Sequence, residues 1–268
     1  RECQNFDQIA EQRIRQSISM GTTAIEVKSG YGLDTQTELR MLESYSRMRK
    51  KFPSLSIHIT WMGAHDIPSG IDRKTYVDSV LSEQLPAVLE QGYADSVDVF
   101  CEPGWFTLSD TEDICKESIN GGLNVRLHVD EFVDGGGLDL AAELGARTAD
   151  HALHSNDDAR ENASKAGTVQ GFLPGTPYVL GNDNWPPAIL CNENNWAWSL
   201  ASDFNPNCQS LSIPMAGSLA THRMRVDPIA ALAASTRNPA TTLTDDRLID
   251  GIISVGSKAN FNVLHSHL

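Results

Sequence analysis

At 268 residues the chain is long enough for one large domain with a buried core. It carries 21 basic against 35 acidic residues, a formal charge of −14, and 40% of its residues are hydrophobic. That balance suits a folded enzyme and argues against nucleic acid or anionic membrane as partner. No apolar run approaches the roughly 18 residues needed to span a bilayer.

The chain opens on the polar stretch Arg1-Glu2-Cys3-Gln4-Asn5, which lacks the apolar core of a signal peptide. An amphipathic helix is predicted at once, over Phe6–Met20. With no initial Met and an end inside the apolar run 260–264, the sequence reads as a fragment. Strand-like and helical runs then alternate. Strand Thr23–Lys28 leads to a helix from Gln36 to about Lys51, with Thr35 and Glu38 as a capping box. Strand Ser56–Trp61, a helix around Arg73–Gln91 and strand Ser96–Cys101 follow. A helix capped at Ser109 with Glu112 ends at Gly121-Gly122, before strand Asn124–Val129. Next come helix Leu138–Leu144, strand Thr148–Leu153, a short helix ending near Gly167, and strand Thr168–Leu173. The stretch Pro174–Pro187 reads as a surface loop long enough to act as a lid or reach a neighbouring subunit. Strand Trp198–Ser202 and a helix around Pro228–Ser235 close the series. Seven β/α steps without hairpins predict a parallel barrel or doubly wound sheet. Neither GxGxxG nor GxxxxGK[ST] occurs, which removes the main support for a phosphate-cradling fold.

The five cysteines (Cys3, Cys101, Cys115, Cys191 and Cys208) have no CxxC spacing and fit reduced thiols of a cytoplasmic protein. Cys101 and Cys115 read as core positions. Three strand ends carry the chemistry: His128 in Leu127–Glu131, His151 after Asp150, and Asp203 after Ser202. A (β/α) barrel brings its carboxyl strand ends to one face, where two imidazoles and a carboxylate can gather around a metal ion such as zinc. Taken singly each has a plainer reading: a hydrogen-bonded core His, or an Asx-turn before Pro206 for Asp203. Strand alternation puts Val125, Leu127 and Val129 on one side, and Arg126, His128 and Asp130 on the other. The glycine turn Lys28–Gly32 offers Tyr31, and His65 follows the second strand; both suit contact with a small-molecule substrate.

Val27–Leu33, His128–Glu131, Ala149–His151, Leu173–Thr176 and Ser202–Pro206 follow one another as in imidazolonepropionases, metal-dependent amidohydrolases of histidine degradation. The resemblance extends through Ala234–Thr236 and Gly251–Ala259. It implies a (β/α)8 TIM barrel of amidohydrolase type over residues 1–245, incomplete at the N-terminus. Residues 246–268 would begin the return to a small β-sandwich. It further implies hydrolytic opening of 4-imidazolone-5-propanoate to N-formimidoyl-L-glutamate, one zinc or iron ion, and a homodimer. His128 and Asp203 resemble the metal ligands; Glu131, His151 and Asp203 resemble the catalytic groups. Tyr31, His65, Glu131, Asn205, Asn207 and Cys208 match substrate-binding positions. In that chemistry a metal ion lowers the pKa of its water from about 16 to roughly 7, and a protonated His65 would help stabilise the oxyanion.

The match departs in one large respect. Relatives end their first barrel strand in His-x-His with an Arg nearby, whereas here the only His-x-His is His265-Ser266-His267. Two protein ligands are fewer than a catalytic zinc commonly takes, so activity is expected of the longer protein rather than of this stretch alone. Asn207 and Cys208 replace Gly and a hydroxyl residue, and Asn260 stands where relatives tend to have Asp. Two alternatives remain: another amidohydrolase (a cytosine or guanine deaminase, or a hydantoinase with Lys28 carbamylated), or a non-catalytic ligand-binding barrel.

Overall fold

The structure, a computed structural model, describes residues 5–243 and 251–263. Cys3, His265, His267 and the ends of the 246–268 segment lie outside the described residues. The described part of that segment, 251–263, forms neither strand nor helix.

Seven strands make one sheet in sequence order: β1 Ala24–Lys28, β2 Ser56–Ala64, β3 Ser96–Cys101, β4 Asn124–Val129, β5 Thr148–His151, β6 Val169–Phe172 and β7 Trp198–Leu200. Every neighbouring pair is parallel. The helices are α1 Phe6–Ser19, α2 Thr35–Lys51, α3 Arg73–Ser79, α4 Leu85–Gln91, α5 Leu108–Asn120, α6 Gly137–Glu143 and α7 Asp157–Ala166. After them come α8 Gly175–Leu180, α9 Ala188–Glu193, α10 Ile213–His222, α11 Pro228–Ser235 and α12 Arg237–Leu243. A π-helical segment, Val80–Gln84, joins α3 to α4, so the one helix read from sequence is continuous but locally under-wound.

The sheet curls into most of a barrel, with β1 and β7 as its edges among the described residues. Helix-facing side chains form the main core: Val99, Leu127, Val129 and Ala149 are fully buried with Ile114, Leu138 and Ala141. The opposite parity points inward and is polar. Lys28 pairs there with Glu26 at 3.0 Å, Asp98 at 2.6 Å and Asp150 at 3.3 Å, while Arg126 reaches Glu26 at 3.3 Å. Buried charges are costly unless paired, and this interior is close to balanced.

Three local readings need correction. The cap of α2 is Asp34, which accepts from the Thr37 N–H at 2.9 Å. Glu38, expected to reach back along its own helix, is fully buried and accepts from Gly30 N–H at 3.1 Å and Gly32 N–H at 2.8 Å instead. In α5 the capping box is Thr107 with Asp110, two residues earlier than Ser109 with Glu112. The stretch Pro174–Pro187 is not plain loop, since α8 lies within it, and α9, α10 and α12 are helices beyond those expected from the sequence.

Candidate active site

His128 is the penultimate residue of β4 and points into the barrel because Leu127 and Val129 pack outward. Its Nδ1 lies 2.8 Å from Asp98 Oδ1, on the neighbouring strand β3. One ring nitrogen is thereby committed, and Nε2 is the atom left for the cleft. Burial disfavours charge on this imidazole, but the Asp98 carboxylate outweighs burial and raises the pKa to about 9. A cation held at Nε2 would take the place of that proton.

Asp98 is itself fixed by Lys28, whose Nζ also approaches Asp150. Asp98, His128 and Asp150 offer ligand atoms within 4.8 Å of one another, a cluster that could hold an ion. The Lys28 ammonium already neutralises both acids, so the better donors are His128 from the cleft side and Asp203. Three carboxylates keep the Lys28 amine charged against its burial, whereas carbamylation needs it neutral.

His151 ends β5, and its ring centroid is 5.2 Å from that of His128. Its Nε2 stands 3.6 Å from Glu131 Oε2, beyond direct hydrogen bonding but close enough to favour its charge. Burial dominates, and the His151 pKa is lowered despite Glu131 and Asp203. Asp203 follows β7 and accepts a short hydrogen bond from the Thr176 hydroxyl. Its pKa is lowered: burial works upward, but the charges of His151 and His128 and the Thr176 bond prevail. A carboxylate and an imidazole are the donor types a borderline ion takes, so the pair fits one side of a coordination sphere.

Backbone strain gathers at this rim. Asp130, His151, Ala152 and Asp203 all adopt left-handed φ, at 48°, 68°, 44° and 50°. Residues other than Gly rarely do so, and such outliers cluster where side chains must be aimed. At Asp130 the consequence overturns strand parity. Its carboxylate turns away from His128 to accept from the N–H groups of Gly135, Gly137 and Leu138, at 3.1, 3.0 and 3.3 Å. Asp130 shapes the loop and stays out of the cleft.

Tyr31 and His65 meet across the mouth, His65 Nε2 lying 3.2 Å from the Tyr31 hydroxyl. A register shift between Trp61 and Ala64 in the β2–β3 ladder precedes His65 and aims it toward His128, with ring centroids 5.6 Å apart. Burial, and then the charge on His128, lowers the His65 pKa to about 4. His65 is therefore neutral at pH 7, which corrects the expectation of a protonated donor. From His65 the rings of Phe100, Trp105 and Phe132 continue as a ladder with successive centroids 5.4, 5.0 and 5.7 Å apart.

The segment after Asp203 contributes less than expected. Asn205 spends its side chain on its own loop, accepting from Asn207 N–H at 2.8 Å and Cys208 N–H at 3.0 Å and donating to the Asp203 carbonyl at 2.9 Å. Asn205 and Asn207 line the cleft, but Cys208 is buried beside it, with its thiol toward the Ser202 carbonyl. Cys101 and Cys115 are buried free thiols, as read from sequence. Sequence reasoning missed Asp98, Glu26 and Glu102. The available signal was a lone acid within an apolar strand, as in Ser96-Val-Asp-Val-Phe-Cys101.

His128, Glu131, His151, Asp203, Tyr31 and His65 all line one cleft of about 2300 Å³. It exceeds the roughly 300–1,000 Å³ of a small-molecule pocket because it runs on between Ile25 and Val27 of β1 and Ser199 and Leu200 of β7.

The fold is an incomplete α/β barrel, seven parallel strands among the described residues. Guanine deaminase from C. acetobutylicum, solved with guanine in its active site, shares the fold with a TM-score of 0.73 at 12% identity, covering 94% of this chain and 65% of that one. An adenosine deaminase from Xanthomonas campestris with bound zinc does so with a TM-score of 0.64 at 14% identity, covering 95% and 60%. In sequence the chain is similar to imidazolonepropionases. It is 37% identical over 257 residues to that of Shewanella piezotolerans and 39% identical over 256 residues to that of Symbiobacterium thermophilum. These alignments cover 95% and 94% of this chain, which spans only 62% and 60% of those relatives. No protein-family model matches the chain. No described helix is long and apolar enough to cross a membrane.

Proposed function

We propose that this chain forms the larger part of a cytoplasmic imidazolonepropionase of histidine degradation, which opens the ring of 4-imidazolone-5-propanoate to N-formimidoyl-L-glutamate. The observation that carries the reading is the convergence of His128, His151 and Asp203 from three strand ends on one cleft, in a chain related to these enzymes.

His128 and Asp203 would hold one zinc or iron ion, which when bound supplies Lewis acidity and an activated water. Asp203 is kept ionised and can take a proton from the attacking water. His151 and Glu131, 3.6 Å apart, form a pair that can pass a proton to the departing ring nitrogen. The Tyr31–His65 pair and the aromatic ladder offer a flat wall for a planar ring. Two donors are fewer than a catalytic zinc commonly takes, so the active assembly would include the further length that the relatives possess. We assign 246–268 to the start of a second, small domain, and a homodimer to the assembled protein.

The test is a substrate panel with the protein encoded by the whole gene. Conversion of imidazolone propionate to formimidoylglutamate, detected by mass spectrometry, with no turnover of guanine, cytosine or hydantoin, supports the reading. Ammonia release from guanine or cytosine would move it to a deaminase. Sedimentation velocity tests the dimer, and a monomer at micromolar concentration would remove it.

A further inference from the structure

Arg160 is an anomaly in the packing. It sits in the middle of α7, only 2% exposed, and among the described residues it pairs with no carboxylate. Its Nη1 donates to Gln170 Oε1 at 2.6 Å and its Nη2 to the Ala152 carbonyl at 2.7 Å. A buried guanidinium with neutral partners costs stability that an apolar side chain of similar size would not. Its two bonds are directional. Gln170, fully buried on β6, turns its oxygen to the guanidinium and leaves its own Nε2 without a partner.

What the guanidinium holds is the turn that presents His151. His151 and Ala152 are consecutive left-handed residues, at φ 68° and 44°, an arrangement that neither side chain favours. The Ala152 N–H is tied to the Val129 carbonyl at 3.0 Å and the Asp150 carbonyl at 3.1 Å, and Arg160 ties the carbonyl on its other side. Both ends of the strained peptide are thus clamped, one to β4 and one to α7. Without the second clamp, residue 152 can relax toward negative φ and swing His151 off the line to Glu131 and His128.

We propose that Arg160, oriented by Gln170, is a positioning residue that holds the left-handed His151–Ala152 turn and so aims His151 into the cleft. Its mechanistic value rests on the catalytic role proposed for His151, but its structural content does not. Among the described residues no hydrogen bond or ion pair joins Arg160 to Glu131 or His128, so its effect on His151 runs through the backbone.

Long-range proton–nitrogen spectra of the histidine rings test this on the protein encoded by the whole gene, with His151 assigned through a His151→Gln variant. Arg160→Met should shift or broaden the His151 ring signals while leaving those of His58 and His222 in place. Ala152→Gly, which makes the left-handed turn cost-free at that position, should bring them back in the Arg160→Met background. A His151 ring unmoved by Arg160→Met, or moved and not restored by Ala152→Gly, overturns the proposal. Should Arg160→Met fail to fold, the double variant has to fold; if it does not, the proposal falls equally. Because the spectra need no substrate, a failed turnover assay would count against the proposed function alone.

Discussion

Asp98 gives His128 its direction. With Nδ1 bonded to a carboxylate that Lys28 holds in turn, the imidazole has one tautomer and one orientation for a ligand. Asp98→Asn keeps the shape but removes the charge. It should weaken divalent-ion binding by about 10–100-fold, as loss of a carboxylate behind a ligating imidazole commonly does. Competition against a chelating dye would measure it, and unchanged affinity would mean that His128 is not the ligand. At this scale the sequence was informative where a residue stood at a strand end, as for His128, His151 and Asp203. It was silent on Asp98 and Glu26, whose importance depends on what faces them across the barrel. It misplaced Asp130, because alternation fails where a residue turns left-handed.

The loops between elements are held by buried acids. Glu102 accepts the N–H groups of Glu131, Phe132 and Val133 at 2.9, 3.1 and 3.0 Å, fixing the turn that carries Glu131 and the end of the aromatic ladder. Glu38 does the same for the Tyr31 turn through Gly30 and Gly32. Gly30 has φ 121°, and a Cβ there would lie 2.9 Å from the Met62 carbonyl oxygen. Glu102→Ala leaves three donors without their acceptor and should cost about 1–3 kcal/mol in denaturant melts. It should also raise the exchange rate of the amides of residues 131–133 above that of β4, whereas unchanged exchange would show the turn to be held by something else. Element order and most boundaries could be read from periodicity and caps. The helix α8 and the true cap of α5 could not, since short helices and neighbouring Ser, Thr and Asp residues give overlapping signals.

Over the whole molecule the barrel is polar inside, and acid should find its weak point. His58 lies inside the sheet on β2, its Nε2 2.7 Å from the Ser96 hydroxyl and its Nδ1 2.9 Å from the Leu243 carbonyl. Burial, and then the charge of Arg126, lowers its pKa to about 4. The unfolded chain binds this proton below about pH 6.5 while the folded chain refuses it until lower pH, so stability falls as pH drops through that window. We predict a loss approaching about 3 kcal/mol between pH 6.5 and 4, read from urea melts, and a flatter profile for His58→Gln. Equal slopes for the two proteins would assign acid sensitivity elsewhere. The seven-step parallel topology was legible from β/α alternation. The charged interior was not, because it is assembled from residues about 100 positions apart, such as Glu26 and Arg126.

The most direct measurement is anomalous diffraction from crystals of the protein soaked in zinc or cobalt. The account predicts one peak at bonding distance, about 2.0–2.2 Å, from His128 Nε2 and an Asp203 oxygen. A peak between Asp98 and Asp150, displacing Lys28, or an ion bound away from this rim, would contradict it.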